Sequence, residues 1–253
     1  MHSKYKSKDG KYLLEVDYDS EPMNPRTEWD NSTIMYCYHK NYLLGDVEES
    51  KKYKWWQDEC SSWEEFGKLL KRETKALCIM PLFLYDHSGI TMSTGSFQDR
   101  WDSGQVGFAV LTSELLKKQG WTTKMRRNWL KANKDKGGYE ELIRSDVKTY
   151  DQYLRGEIFR TTLHEIKKEV VGYEGAISLP GIFEPWVNVY LQPNPKPIYH
   201  VEAEEVDSCG GYYSVADIMS DFLPKGVEVE AIDDNCTLDE LVQDTLEMLN
   251  DAA

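Results

Sequence analysis

Residues 77 to 89 read Leu-Cys-Ile-Met-Pro-Leu-Phe-Leu-Tyr-Asp-His-Ser-Gly, a continuous apolar run that gives way to Asp, His, Ser and a glycine. A short unbroken apolar run bounded by polar residues predicts a strand buried on both faces. Val106 to Leu111, Val-Gly-Phe-Ala-Val-Leu, predicts a second such strand. The polar, glycine-rich stretch between them, Asp86 to Gly107, is long for a bare connection, so it is expected to be functional or to carry local structure. Upstream, Ser62 with Glu65 has the spacing of a capping box, and Trp63, Phe66, Leu69 and Leu70 then share one helical face. Downstream, a helix is expected from Thr112 or Ser113 to Gly120. A longer one covers Tyr139 to Leu154, with Leu142, Ile143, Val147, Tyr150 and Leu154 on one stripe and Gly156 suited to its C-terminal turn.

Further out, Lys11 to Val16 and Ile34 to Tyr38 are short strand-like runs separated by turn residues. Gly172 to Pro197 holds five of the nine prolines and reads as loops around one strand, Trp186 to Leu191. Beyond it come a strand from Tyr199 to Val206, a helix opened by Ser214 and ending before Pro224, and an alternating strand from Val227 to Ala231. A final helix opens at the Thr237–Glu240 capping box, with Leu238, Leu241, Val242, Thr245, Leu246 and Leu249 on one face. These elements follow no regular βαβ rhythm. The expected fold is therefore α+β, with a mixed or mainly antiparallel sheet, peripheral helices and an acidic C-terminal α/β segment.

Charge divides the chain sharply. The total of 44 acidic and 30 basic residues gives −14, yet Met1 to His200 holds 29 of each. All of the excess lies in Val201 to Ala253, where 15 carboxylates face one base, Lys225. On composition the chain divides into a neutral body (1–171), a proline- and aromatic-rich connection (172–200) and an acidic segment (201–253). The acidic segment is a poor match for DNA, RNA or an anionic membrane surface, which need Lys and Arg.

With 40% hydrophobic and 12% aromatic residues the chain has too much apolar material for whole-chain disorder. The first ten residues are polar with no apolar region after them, so no signal peptide is expected. The longest apolar stretch, Ala76 to Tyr85, falls short of the ~20 residues that a membrane helix needs. A soluble, intracellular protein is the expectation. The five cysteines are scattered without a C-x-x-C pair, arguing against a disulfide scaffold or zinc ribbon.

Phosphate-loop, dinucleotide, zincin and hydrolase-elbow signatures are all absent. What remains is polar residues at strand ends. Cys37 and His39 stand two apart on an expected strand and so share a face, as a thiolate–imidazole pair or two metal ligands would; a buried Cys beside a capped His gives the same pattern. Asp86, His87 and Ser88 sit where a strand opens into a loop, with Asp86 able to orient His87 as a general base or simply to start a turn. Convergence of His39 and His87, with Asp30, Asp46 or Asp102 as carboxylate partner, would make a small site open to a metal; a hydrolase would be built around His39, Asp86, His87 and Asp102. Lys124, Arg126, Arg127, Lys131, Lys134 and Lys136, interleaved with Trp121 and Trp129, form a basic patch that fits a nucleic-acid backbone, an acidic partner or a solvated helix face.

Several strings recur in a recognisable order: Asn24-Pro25-Arg26 with Trp29-Asp30-Asn31; His39 and Leu44-Gly45-Asp46; Pro81 to Gly89; Ser93-Thr94; Trp101 to Gly107; Tyr153-Leu154-Arg155-Gly156; and Asp207-Ser208-Cys209 followed by Gly211-Tyr212-Tyr213. The series resembles a family of uncharacterised phage- and mobile-element-encoded proteins over Asn24 to Tyr213. It departs from that family in the proline-rich insertion and in the acidic segment. The resemblance implies a viral or plasmid context, hence the cytoplasm of a bacterial host, and no particular activity.

Two functions follow as expectations. The first is antagonism of a host nucleic-acid-directed defence system, a CRISPR effector or restriction enzyme, by DNA-mimicking carboxylates. Glu228, Glu230, Asp233, Asp234, Asp239, Glu240, Asp244 and Glu247 would meet a basic, nucleic-acid-binding host protein. The second is the small hydrolase centred on His39 and His87, with Asp86 and Asp102. No cofactor is expected, no membrane partner either, and self-association stays open.

Overall fold

The computed structural model describes residues 3–99, 101–174, 176–179, 187–190 and 196–252. In chain order its elements are strands β1 (Ser3–Ser7) and β2 (Tyr12–Tyr18), helix α1 (Pro25–Glu28), β3 (Ile34–Cys37), α2 (Val47–Lys51), α3 (Trp56–Glu59) and α4 (Trp63–Glu73). There follow β4 (Ala76–Asp86), β5 (Ile90–Ser93), β6 (Ser103–Thr112), α5 (Ser113–Lys118), α6 (Thr123–Ala132) and α7 (Tyr139–Leu154). The last part holds β7 (Phe159–Tyr173), β8 (Ala176–Leu179), β9 (Val187–Tyr190), β10 (Pro197–Tyr212), α8 (Val215–Phe222), β11 (Val229–Ile232) and α9 (Leu238–Ala252). The fold is α+β, and every strand pair described is antiparallel. None of these helices is long and apolar enough to cross a membrane.

Packing divides the chain into two compact units at places that composition does not mark. One is Glu21–Ile158; the other joins Met1–Ser20 to Phe159–Ala253. The divisions at 171 and 200 follow charge and proline content, whereas β7 and β10 pair across both of them.

The Glu21–Ile158 unit is built on a four-stranded sheet in the order β3-β6-β4-β5. Its centre is β6, buried from Val106 to Thr112, as the unbroken apolar run requires. Phe108 and Val110 meet α4 and the turn of α3 in a cluster with Tyr36, Trp56, Phe66 and Leu70. Ala109 and Leu111 go to the other face with Met35, Leu82, Leu84 and Met92, where α7 lays Leu142, Ile143, Val147 and Tyr150 against them. Fully burying one such side chain contributes about 1.5–3 kcal/mol. β4 is less buried than its run of apolar residues predicts, because it has β5 beyond it over only its second half, and Leu77 is 41% exposed.

The caps read from sequence are made. Ser62 Oγ accepts from Glu65 N at 3.3 Å, and Glu65 reaches back to Ser61 N at 2.7 Å. Thr112 Oγ1 accepts from Leu115 N. The stretch Asp86 to Gly107 contains β5 and the start of β6, so part of it is locally folded.

The other unit has a five-stranded sheet in the order β10-β7-β2-β1-β11. Leu13 and Leu14 are both 0% exposed, so both faces of β2 are covered. Leu14, Val16 and Leu163 pack with Ile218 of α8. On the other face Lys4 Nζ donates to the Cys236 carbonyl just before α9, and pairs with Glu15 at 3.1 Å. Glu15 in turn meets His164 Nε2 at 3.2 Å. β9 falls inside the strand expected at Trp186 to Leu191, and those two end residues lie outside the described set.

Candidate functional site

His39, Asp86, His87 and Asp102 are brought to one end of the four-stranded sheet, in two separate groups. Asp86 closes β4 and pairs with Ile90 of β5, leaving His87, Ser88 and Gly89 as the hairpin loop. Ser88 takes a left-handed φ of 57°, and His87 N bonds to Gly89 O at 3.0 Å. Asp86 N also bonds to Asp102 O at 2.8 Å, which draws the entry of β6 beside the hairpin.

Asp86 does not orient His87. Its carboxylate accepts from Tyr42 OH at 3.2 Å, and the carboxylate's hold on that proton raises the phenol above its ordinary pKa. The His39 ring stacks on Tyr42 at 5.0 Å and 12°. His87, in the hairpin loop beyond the end of β4, bonds elsewhere, and its Nδ1 meets Asp102 Oδ2 at 3.0 Å. Asp102 is positioned by Asp99, whose Oδ1 takes the N–H groups of Trp101 and Asp102; those two bonds hold Asp99 below the usual carboxylate range.

The His87–Asp102 pair is 63% and 40% exposed, open to water on both sides. A His–carboxylate pair in a nucleophilic triad keeps its carboxylate buried and its other nitrogen on a hydroxyl or thiol. Ser88 Oγ makes no hydrogen bond to His87, and no other nucleophile does so among the described residues. Nor do three His, Cys, Asp or Glu side chains gather as a metal site among them.

Cys37 and His39 both line one cleft, but not as a thiolate–imidazole pair. Cys37 is buried, and desolvation first, with Asp46 adding to it, pushes its thiol up to about 12. It is a protonated thiol at neutral pH. In the native protein a thiol reagent such as iodoacetamide at pH 8 is expected to modify exposed Cys209 and to leave Cys37 untouched until urea is added. Peptide mass mapping reads this directly, and native modification of Cys37 would contradict its burial.

Of the basic patch, Lys124, Arg126, Arg127 and Lys131 lie on α6, and Lys134 and Lys136 in the turn after it. Arg126 forks onto Ser113, its Nη1 to Oγ at 2.7 Å and Nη2 to the carbonyl at 3.0 Å. Trp121 and Trp129 pack edge to face at 5.8 Å against the core, so neither is a free platform for bases. Trp101 is the opposite case, 97% exposed beside the His87–Asp102 pair.

The eight acidic candidates fall into working and idle groups. Glu228 pairs with Lys8 at 2.6 Å, and Glu230 stands opposite Lys6 in register. Asp233 closes a turn onto Asn235, and Glu247 accepts from Gln243 at 2.9 Å. Glu240 completes the capping box with Thr237, and the bond from Thr237 N lowers its pKa. Asp234, Asp239 and Asp244 make no hydrogen bond or ion pair among the described residues.

Sequence patterns missed two features. The strand expected from Tyr199 to Val206 lies within β10, but its edge position was not legible; there Glu202, Glu204, Glu205 and Asp207 discourage pairing with a second sheet. Lys40, Lys51 and Lys54 line the cleft with His39, a convergence hinted at by the lysines around Tyr53. Compared with protein-family models, curated proteins and solved structures, the chain matches none.

Proposed function

We propose that this chain is a phage- or mobile-element-encoded protein that binds and inhibits a host nucleic-acid-directed defence system, a CRISPR effector or a restriction enzyme. Its carboxylates would occupy a basic channel that otherwise holds nucleic acid. The observation that carries this reading is the partition of charge between the units. Glu21–Ile158 has 21 acidic and 21 basic residues, and the unit joining the two chain ends has 23 against 9. The viral context rests on the ordered strings, and the mimicry on carboxylates such as Asp239 and Asp244, mounted on a capped helix that holds them at fixed spacing. Fields of this kind speed association with a basic partner and fade as salt shortens the Debye length from ~10 Å at 0.1 M to ~3 Å at 1 M.

The hydrolase reading has the His87–Asp102 contact in its favour and, among the described residues, lacks a nucleophile bonded to His87, so it ranks second. The test is capture from a bacterial lysate at low salt with the full chain and with Asp234→Asn/Asp239→Asn/Asp244→Asn, three changes that break no bond described here. Recovery of a basic nucleic-acid-binding protein is expected, about tenfold weaker with the variant. Capture indifferent to salt and to the variant sinks the mimicry.

A further inference from the structure

Beside β3 and α2 lies a cleft of about 430 Å³, within the size range of small-molecule sites at ~300–1,000 Å³. Its rim carries Lys40, Lys51 and Lys54, its wall carries His39 and Tyr42, and no Asp or Glu lines it. Lys51 shares its charge with Glu48 at 2.6 Å, while Lys40 and Lys54 have no ion pair among the described residues. The two lysines left without an ion pair favour an anion in the cleft, and lysine ammonium groups serve phosphate as point charges.

The wall asks for more than an anion. His39 and Tyr42 are stacked face to face, and Asp86 fixes the Tyr42 hydroxyl, so the pair offers a ligand the outer face of an aromatic stack already in place. Leu44 and Val47 line the cleft too, and Leu43 stands 85% exposed at its lip. A bare phosphate would satisfy the lysines and leave this apolar, aromatic surface uncovered. A planar ring stacked on such a surface contributes about 1–3 kcal/mol by analogy with bases on aromatic side chains.

We propose that this cleft binds a planar heteroaromatic phosphate of the nucleoside monophosphate class, its ring on the His39/Tyr42 wall and its phosphate among Lys40, Lys51 and Lys54. The cleft belongs wholly to the charge-neutral unit and its ligand is a small molecule. The site is thus independent of the acidic surface, and capture of a host protein can fail while this binding stands.

The experiment is calorimetric titration of the full chain with each of the four common ribonucleoside monophosphates, the matching nucleosides, inorganic phosphate and a short single-stranded oligonucleotide. At least one monophosphate is expected to saturate the protein about tenfold more tightly than its nucleoside or phosphate alone. Lys40→Ala/Lys54→Ala, two exposed positions whose fold is checked by circular dichroism, should weaken that binding about tenfold, and His39→Ala should weaken it as well. Phosphate binding as tightly as the nucleotide, tighter binding of the oligonucleotide, the absence of saturable binding, or a folded lysine variant with unchanged affinity would each overturn the proposal.

Discussion

Asp46→Ala is expected to destabilise the Glu21–Ile158 unit by about 3–5 kcal/mol, the cost of leaving a buried charge without its partner. The Arg26 side chain is 1% exposed. Its guanidinium donates to Asp46 and, at 2.7 Å, to the Thr33 carbonyl; Nε and Nη1 are buried with no partner. Arg26 is therefore already under-satisfied; Asp46 is its one ion pair among the described residues, and Asp146 acts on it from farther off. The same carboxylate oxygen accepts from Met35 N at 2.6 Å, so the substitution also orphans a strand N–H. Arg26→Met/Asp46→Leu removes both charges and should cost far less, since apolar replacement of a buried pair is often neutral. Urea denaturation followed by tryptophan fluorescence measures both. A midpoint shift of about 2 M is expected for Asp46→Ala, taking ~2 kcal/mol/M as the slope. A loss under about 1 kcal/mol would show that water reaches the guanidinium and that the pair is not buried as described.

This pair explains why Asn24-Pro25-Arg26 and Leu44-Gly45-Asp46 stand out in the sequence without announcing a chemistry. Arg26 and Asp46 meet in the core, and Gly45 sits where a Cβ would lie 2.5 Å from the Met35 carbonyl. What is distinctive in those strings is packing. Elements with local signals were legible: β6 from its unbroken apolar run, and α4, α5 and α9 from caps that satisfy their first N–H groups. β1 was invisible because Lys4 and Lys6 read as solvated, whereas Lys4 is 7% exposed and held by Glu15 and the Cys236 carbonyl, residues far along the chain. β7 was missed for a like reason, its Lys167, Lys168 and Glu169 masking a strand that β10 and β2 define. Pairings between the two ends of a 253-residue chain leave no local trace, so the division of units could not be read either. At the site, strand ends did mark His39, Asp86 and His87, whereas Asp102 was one of three carboxylates that could have joined them. Which carboxylate serves which histidine was decided by the hairpin, which gives Asp86 to Tyr42 and Asp102 to His87.

Gly107→Ala is the second change expected to cost heavily, about 3–5 kcal/mol, and for a reason that composition cannot supply. Gly107 lies in β6 opposite Cys37 of β3, with Leu82 of β4 on its other side. A Cβ built there would stand 1.8 Å from the Tyr36 carbonyl oxygen, 2.9 Å from its carbon and 3.1 Å from the Cys37 Cα. All three are backbone atoms, so no rotamer change relieves the clash. The strands themselves must part. Parting would break the adjoining bond from Tyr38 N to Val106 O at 2.7 Å and lift Tyr36 from the cluster it forms with Phe66 and Phe108. It would also move Cys37, His39 and the cleft wall. Gly104→Ala is the matched control, in the same strand with nothing within 4 Å of the added methyl, and should stay within about 0.5 kcal/mol of the parent. Thermal unfolding separates the two: a fall of about 10–20 °C for Gly107→Ala at ~3–4 °C per kcal/mol, and almost none for Gly104→Ala. Equal midpoints would mean that β3 does not approach β6 as closely as the Tyr36 carbonyl requires. In that event the wall built on His39 and Tyr42 would lose its footing, because β3 is what carries His39 to the cleft.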